Sequence, residues 1–397
     1  DSDINGLADN DLTCPSNDTF SSCLPNVARY LRDKDYYPDI EGKQNVRTHT
    51  IAFDINIEET KNLLRATAVD NGDGIFIDTN GANDLSNAIG DVIGEVMKSA
   101  KSFVSPATSI SSANRYAHHN HLYFALFEPM VEPLWPGNLK GYTIDSNGVL
   151  RDKNNKPAFD SVGNFNTDIS SKWSEKDGNV IGAGGAAAQI LLQGNRDIYT
   201  QNSAGALARF DAANVNAIDL GVAQTEKTAL IDWAISRDKN PVGDPLHSGP
   251  QVVNYDTGPV IFFGTNQGFL HAIDADSGKE KFAFIPKALL SNLNIFRENI
   301  SGQSHPYGLD GQISVLFRDV DKNGVIDTDS ESEDKAIIIV GMRRGGNNLY
   351  ALDITNPDAP TIKWQITGGS EKFPNLGQTW SKAIITKHKT GTALDPI

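Results

Sequence analysis

Most of this chain is patterned in short apolar runs that alternate with polar residues and end at Gly, Asn or Asp, which is typical of β-strands and tight turns. Four pairs of runs share one order: a strand, a Gly or Asn turn, a second strand, and an Asp or Gly turn. These pairs are residues 122–126 with 139–145, 197–200 with 206–211, 259–264 with 269–274, and 337–341 with 349–353. The pattern predicts a loosely repeated, mostly β fold.

The spacing of these repeats predicts the architecture. The pairs begin roughly 60 to 80 residues apart, wider than a bare four-stranded propeller blade of about 40–50 residues, so each repeat must carry insertions. Radially repeated four-stranded sheets form β-propellers. Residues 383–386 begin another apolar strand just before the sequence stops. We therefore predict an incomplete β-propeller over residues 115–397.

The first 104 residues have an α/β pattern instead. A strand is predicted from the strict alternation of apolar residues at positions 51, 53, 55 and 57. A short helix is predicted after Pro25, and a longer amphipathic helix from Leu85, with Asn83 or Asp84 as its N-cap. Residues 70–78 are acidic, but Gly74 stands where a metal loop needs an oxygen donor, so we interpret them as a glycine turn. Residues 105–114 are small and polar, which predicts a linker.

Composition excludes several classes of function. The 397 residues allow two or three domains, and the net charge of −15 disfavours binding to nucleic acid or to an anionic membrane surface. No run of 18 apolar residues predicts a transmembrane segment. The chain opens on Asp1 without a signal peptide, and we expect it to be a fragment of a longer protein.

The only cysteines are Cys14 and Cys23, which flank a small polar loop. We expect them to form a disulfide in an oxidising compartment. The alternative is two free thiols in a cytosolic protein.

The strongest local signal lies between two predicted strands, at residues 319–327. Oxygen-bearing side chains stand at positions 1, 3, 5 and 9 of this loop, and Gly324 at position 6 allows a sharp turn. The predicted metal ligands, four side chains and one backbone carbonyl, are Asp319, Asp321, Asn323, Val325 and Asp327. An all-oxygen set favours Ca²⁺ over Zn²⁺.

Two features of this loop leave its interpretation open. Ser330 occupies position 12, where an EF-hand has a bidentate Glu, so water, Asp329, Glu331 or a distant residue must complete the shell. An ordinary acidic surface turn is the alternative, because Asp, Asn and Gly are common turn residues. We expect the acidic residues that follow to form a solvated rim: Asp329, Glu331, Glu333 and Asp334.

Other motifs favour structural roles. Residues 182–188 are rich in Gly and Ala but lack the βαβ context of a dinucleotide loop, so we predict a helix entry or packed turn. The histidines at 118, 119 and 121 have no acidic or Cys partner at ligand spacing. Ser248 beside His247 does not make a nucleophile site, and Arg343-Arg344-Gly345-Gly346 is interpreted as a turn.

Several stretches together resemble the PilY family of type IV pilus-tip proteins. The resembling residues are 247–253, 264–274 with 278–280, 284–286, 307–311, 344–357 and 376–381. The resemblance implies a quinoprotein-like propeller with one nine-residue calcium loop, whose ligand positions match Asp319, Asp321, Asn323, Val325 and Asp327. Within residues 1–104, the strand at 50–53, the segments 66–68 and 72–76, and the helix from Leu85 resemble the C-terminal half of a von Willebrand factor A domain. The D-x-S-x-S metal motif that such domains carry near their first strand does not stand at the front of this chain, so that metal site is not expected here.

The PilY resemblance also implies a function. It implies a calcium-binding protein at the pilus tip, on the surface of a Gram-negative bacterium, which reaches that place through the periplasm and outer membrane. Its implied partners are minor pilins, with host or abiotic surfaces as further candidates, and its implied roles are pilus biogenesis, control of extension and retraction, and adhesion. We therefore expect a non-enzymatic protein.

Two other functions remain alternatives. One is a calcium-stiffened surface adhesin without a link to pili. The other is a quinone-dependent dehydrogenase, because the repeats resemble that propeller class. Such enzymes hold quinone and calcium in the ring centre and often use an adjacent cysteine pair, whereas both cysteines here precede the predicted propeller.

Overall fold

The structure is a computed structural model. It describes residues 23–36, 45–81, 84–85, 89, 120–159, 165–236 and 241–386, together with the backbone of 103–105, 387–390 and 393–396. The chain divides into two compact units, residues 1–100 and 101–397. Within the described residues, no helix has the length and apolar character needed to cross a membrane.

The first unit is α/β, as its pattern predicts. Helix α1 (Leu24–Asp33) begins at a Pro in its first turn. Strands β1 (Thr50–Phe53) and β2 (Phe76–Thr79) pair in parallel, and helix α2 (Glu58–Arg65) lies between them in sequence. Parallel strands need such a crossover. The turn at residues 72–74 leads directly into β2, which agrees with the glycine turn predicted there.

Two predictions for the first unit change in detail. The alternating strand stops at Phe53, and Ile57 instead caps α2, where its side chain is 61% exposed. Within the described residues, the pairing of β1 with β2 ends at Phe53, so the alternation at residues 55 and 57 does not extend the strand. Residues 84, 85 and 89 are helical, and the rest of the predicted helix lies outside the described residues.

The predicted disulfide involves one described residue. Cys23 directly precedes α1, and none of the described cysteines is a free thiol. Cys14 lies outside the described residues. The Cys14–Cys23 pairing therefore stays a prediction, as does the von Willebrand factor A resemblance of this unit.

The second unit is mostly β, with several sheets and short helices. Its first sheet has four antiparallel strands: β3 (Phe103–Ser105), β4 (His121–Phe127), β5 (Gly137–Ile144) and β6 (Leu150–Arg151). Strand β3 thus ends at Ser105, the first residue of the stretch expected to be a linker, and residues 106–114 lie outside the described residues.

The second sheet has six strands in the order β8-β7-β12-β11-β10-β9. The strands are β7 (Ile198–Gln201), β8 (Leu207–Arg209), β9 (Gln251–Tyr255), β10 (Gly258–Gly264), β11 (Leu270–Asp274) and β12 (Glu280–Phe284). The helices around it are α3 (Gly185–Gln193), α4 (Ala217–Leu220), α5 (Lys227–Ser236) and α6 (Asn292–Glu298).

The third sheet is a four-stranded antiparallel meander of β13 (Ser314–Arg318), β14 (Lys335–Gly341), β15 (Leu349–Asp353) and β16 (Thr361–Ile366). A hairpin of β17 (Lys387–Thr390) and β18 (Ala393–Pro396) follows it. All four strand pairs predicted from the repeat form antiparallel hairpins: β4–β5, β7–β8, β10–β11 and β14–β15.

One of these hairpins does not begin a sheet of its own. Strand β7 pairs in parallel with β12, with Ala283 opposite Ile198, so the β7–β8 hairpin extends the second sheet beyond its own four-stranded meander. The repeat is therefore three meanders with an added hairpin rather than four equal units. Sequence alternation cannot reveal this, because the pairing partners lie far apart in the chain.

The second sheet is buried on both faces, which explains why β10 is apolar throughout. Ile261 and Phe263 face a cluster with α3 and the first sheet, whereas Val260 and Phe262 face the core shared with the third sheet. All four are fully buried. Full burial of a side chain of this size stabilises the fold by about 1.5–3 kcal/mol.

Beyond the ends of β10 and β14, two segments of the chain pass close to each other at Gly308 and Gly345. An added Cβ on Gly345 would lie 2.0 Å from the carbonyl oxygen of Gly308. We expect Gly345→Ala to lower the free energy of unfolding by about 1–3 kcal/mol, because backbone must move to relieve this overlap. Gly377→Ala is the matched control, since a Cβ there meets nothing within 4 Å. Urea denaturation of both variants measures the difference, and equal stabilities would contradict this close approach.

Candidate cation-binding loop

The five predicted ligands lie together in the connection between β13 and β14, residues 319–334. The connection is therefore flanked by two antiparallel strands, as its sequence predicts. Asp321 and Asn323 are exposed, whereas Asp319, Val325 and Asp327 are half-buried. Solvent therefore reaches the Asp321 and Asn323 side chains.

Asp319 organises the first half of the loop. Its Oδ1 accepts a hydrogen bond from the Lys322 amide at 2.6 Å, and its Oδ2 accepts one from the Gly324 amide at 2.6 Å. Gly324 has a φ of +85°, which favours glycine. The chain therefore wraps around the carboxylate at position 1, and Gly324 provides the turn at position 6.

Asp321 and Asn323 continue this pattern of side-chain oxygens facing loop amides. The Asp321 Oδ1 accepts from the Asn323 amide at 3.0 Å, and the Asn323 Oδ1 accepts from the Val325 amide at 2.7 Å. The Asn323 side-chain amide also donates to Asp321 Oδ2 at 2.8 Å. Every second side chain is thus held on the inner side of the turn.

Asp327 shows that negative charge is concentrated here. Partial burial and the nearby charges of Asp334, Asp321, Asp256 and Asp319 raise the pKa of the Asp327 carboxyl. A carboxylate that like charges disfavour is stabilised by a cation. The electrostatics of the loop therefore suit a positive ion.

The predicted ligands are close in space but do not converge fully. Within the described residues, no group of three or more His, Cys, Asp or Glu side chains has an arrangement ready to hold a metal ion. The Asp319 and Asp321 oxygens are turned toward the amides of the loop. Each carboxylate oxygen has two lone pairs and can accept a hydrogen bond while it coordinates a cation. The all-oxygen donor set is therefore of the kind that a hard cation prefers.

Asp334, which the sequence places in a solvated acidic rim, belongs to the interior of the loop. Asp334 is only 2% exposed. Its Oδ1 accepts from the Val320 amide at 2.9 Å, and its Oδ2 accepts from the Asp327 amide at 3.1 Å. The rim prediction is wrong for this residue, because its carboxylate is satisfied inside the loop. The alternation of Asp334 with the buried Ala336 was the available signal.

Asp256, from the turn between β9 and β10, was not predicted from the sequence. Its carboxylate accepts hydrogen bonds from the Thr328 hydroxyl at 2.9 Å and the Thr328 amide at 3.2 Å. Asp256 and Thr328 are 72 residues apart in the sequence. Only the fold brings them together.

The motifs that the sequence assigned to structural roles occupy structural positions. Gly185 begins α3, and Arg343–Gly345 forms a 3-10 turn. The buried Ser248 hydroxyl accepts a hydrogen bond from the Gly264 amide at 2.8 Å. His121 stacks on Tyr123 within β4, while His118 and His119 lie outside the described residues.

Comparison with known proteins gives the relationship of this chain. A homolog of the type IV pilus biogenesis factor PilY1 from Xylella fastidiosa is 34% identical over 134 residues. PilY1 of Pseudomonas aeruginosa strain PAO1 is 32% identical over 134 residues. Part of this chain is homologous to the PilY1 type IV pilus biogenesis factors. The resemblance to the PilY family is thereby confirmed over the matched residues.

The match to PilY1 covers only part of this chain and only part of each relative. It covers 34% of this chain and 10% of each of these two relatives, so the matched part is about a tenth of a full PilY1 protein. The solved C-terminal domain of Pseudomonas aeruginosa PilY1 is 31% identical, covers 33% of this chain and 23% of that chain, and has a TM-score of 0.23. No protein-family model matches the chain.

Proposed function

We propose that this chain is part of a calcium-binding type IV pilus biogenesis protein that acts at the pilus tip. The observation that carries this proposal is the homology to PilY1 type IV pilus biogenesis factors over 134 residues. The role is non-enzymatic, the location is the cell surface, and the partners are minor pilins. Control of pilus extension and retraction, and adhesion to surfaces, belong to the same proposal.

Calcium is the proposed ion of the loop between β13 and β14. The proposal is supported by the all-oxygen donor set, by the glycine turn at Gly324, and by the raised pKa of Asp327. Asp319, Asp321, Asn323 and Asp327 would supply side-chain oxygens, and Val325 its carbonyl. Bound calcium would supply positive charge that offsets the mutual repulsion of the carboxylates.

The proposed architecture is part of a quinoprotein-like β-propeller after the rear half of a von Willebrand factor A domain. Three sheets in the described part of the second unit support the propeller, because each of them contains four antiparallel strands in meander order, as a blade does. The parallel β1–β2 pair with α2 between its strands supports the A-type half.

Calcium binding is expected to weaken as the pH falls. The ligands must be deprotonated to bind, and the pKa of Asp327 lies above the ordinary value of 3.8. The loss therefore begins at a higher pH than for a loop of ordinary aspartates. Isothermal titration calorimetry at a series of pH values measures it, and an affinity that is constant down to the ordinary Asp pKa would contradict the assignment of Asp327.

The pilus role is tested by co-purification with minor pilins. The proposal predicts that the tagged chain retains minor pilins from a periplasmic extract in calcium and loses part of them in chelator. A control with Asp168→Ala, on an exposed ion pair far from the loop in sequence, should behave like the unmodified chain. Retention of no minor pilin under either condition would leave the calcium-stiffened adhesin as the better function.

The quinone-dependent dehydrogenase remains the enzymatic alternative. It is tested by adding pyrroloquinoline quinone to the purified chain and following both binding and dye reduction with alcohol substrates. Our proposal predicts neither. Saturable quinone binding with turnover would replace the non-enzymatic role.

A further inference from the structure

The loop between β13 and β14 leaves its own sheet and joins another. Ile326 forms a parallel bridge with Tyr255, the last residue of β9 in the second sheet. The Ile326 amide donates to the Asn254 carbonyl at 2.9 Å, and the Asp256 amide donates to the Ile326 carbonyl at 3.2 Å. Backbone pairing therefore connects the third sheet's loop to the second sheet.

Side chains strengthen the same connection. Ile326 is fully buried in the core that the second and third sheets share. Thr328 binds the Asp256 carboxylate through its hydroxyl and its amide. On the sheet side, the Tyr255 hydroxyl donates to the Ile354 carbonyl, beyond β15, at 2.7 Å. Residues 326–328, here called the clasp segment, thus tie two sheets together at one place.

Asp334 connects the clasp segment to the predicted ligands. One of its carboxylate oxygens accepts a hydrogen bond from the amide of Val320, which follows the first predicted ligand, Asp319. The other accepts one from the amide of Asp327, the last predicted ligand. Since both oxygens serve amides and the side chain is buried, its geometry is that of a support. It fixes the distance between the two ends of the loop.

We propose that the clasp segment couples cation binding to the junction of the two sheets, with Asp334 as the positioning residue. This inference rests on the proposed calcium site. Closing the loop brings Asp319, Asp321 and Asp327 together against their repulsion, and a cation offsets that repulsion. The closed loop presents Ile326 to β9. Calcium therefore stabilises the pairing of β9 with the clasp segment, outside the sheet that carries the ligands.

Amide hydrogen exchange in the whole 397-residue chain tests the coupling. Saturating Ca²⁺ is expected to slow exchange at the Ile326 and Asp256 amides at least about tenfold, a typical scale for coupling between two sites. The same concentration of Mg²⁺ should slow it less, because Mg²⁺ requires a tighter octahedral shell. Peptides from β4 and β5 in the first sheet serve as the internal reference and should not respond.

Asp334→Asn tests the positioning role. The Asn side chain has a single acceptor oxygen, so it can hold only one of the two backbone N–H groups. Calcium affinity should therefore fall about 10–100-fold, the range for residues that orient metal ligands. Asp152→Asn is the matched control. Asp152 is also 2% exposed, and its carboxylate holds the amides of Asn154, Lys156 and Ser170 in a different loop. That variant should keep wild-type affinity.

Thr328→Val keeps the test valid if Asp334→Asn fails to fold. It removes the hydroxyl bond to Asp256 and leaves every predicted ligand in place. Because coupling between two sites is reciprocal, calcium affinity should fall together with calcium-induced protection at Asp256, and by no larger a factor. Ser277→Ala removes a comparable hydroxyl bond to Asp274 at 2.6 Å in the same sheet and should leave both readouts unchanged.

The outcomes separate the two proposals. If calorimetry detects no calcium binding by the wild-type chain, the calcium site and the clasp are both overturned. If calcium binds but exchange at Ile326 and Asp256 is unchanged, the calcium site stands and the clasp is overturned. If Asp334→Asn and Asp152→Asn reduce affinity equally, Asp334 has no specific positioning role.

Discussion

Asp327→Ala is expected to lower calcium affinity by at least about 100-fold, because loss of a direct ligand should cost no less than loss of a residue that orients one. The substitution also removes one of the charges that crowd the loop. The metal-free chain should therefore fold as well as wild type, and the effect should be confined to binding. Calorimetry measures the affinity, and circular dichroism measures the fold.

Glu333→Gln is the matched control for Asp327→Ala. Glu333 lies in the same connection between β13 and β14, but its side chain is 73% exposed and pairs with Arg318. It should bind calcium like wild type at physiological ionic strength, where exposed charges are screened. Equal losses in the two variants would indicate that the loop attracts calcium only through its general negative charge.

Arg196→Met is expected to destabilise the second unit by about 3–5 kcal/mol, the range for removing one partner of a buried ion pair. The Arg196 guanidinium binds both Glu280 oxygens, at 2.7 and 2.9 Å, and the two side chains are 2% and 0% exposed. His271 Nδ1 lies 2.7 Å from Glu280 Oε1. Removing Arg196 leaves the Glu280 charge in the core of the six-stranded sheet without its main counter-charge.

We also expect the Arg196–Glu280 pair to make the free energy of unfolding depend on pH. Burial by itself raises the pKa of Glu280, but Arg196 and His271 outweigh it and lower that pKa from 4.5 to about 2. A carboxyl whose pKa is depressed by folding contributes stability above its unfolded pKa, and this contribution is lost as the pH falls toward 2. Urea denaturation across this pH range should show the loss in the wild-type chain.

Arg209→Met is the control for Arg196→Met. Arg209 pairs with Asp197 on the surface of the same sheet, where the two side chains are 49% and 56% exposed. Exposed pairs contribute about 0–1 kcal/mol, so this variant should unfold nearly like wild type. Similar destabilisation by the two variants would contradict the assigned role of burial.

Local patterns in the sequence predicted the hairpins well. Strands β10 and β11, and β14 and β15, are adjacent in the chain and joined by glycine turns, so alternation and turn chemistry together determine them. The parallel pairing of β7 with β12 could not be predicted in this way. Its partners are more than eighty residues apart, and only the packed core selects the register.

The candidate site, like the fold, could be predicted from the sequence only where it depends on local spacing. The positions of Asp319, Asp321, Asn323, Val325 and Asp327 follow from the loop spacing alone. The support from Asp334 and Asp256 does not, since it depends on how the loop folds back on itself and on a neighbouring sheet. The buried Arg196–Glu280 pair was also hidden, because its members are 84 residues apart in the chain.

In the proposed function, the loop between β13 and β14 holds one calcium ion. A crystal structure of the chain grown with Ca²⁺ tests it most directly, through the anomalous signal of the ion. We expect one ion about 2.3–2.6 Å from oxygens of Asp319, Asp321, Asn323, Val325 and Asp327. A loop without an ion at saturating calcium, or an ion bound only at other residues, would contradict it.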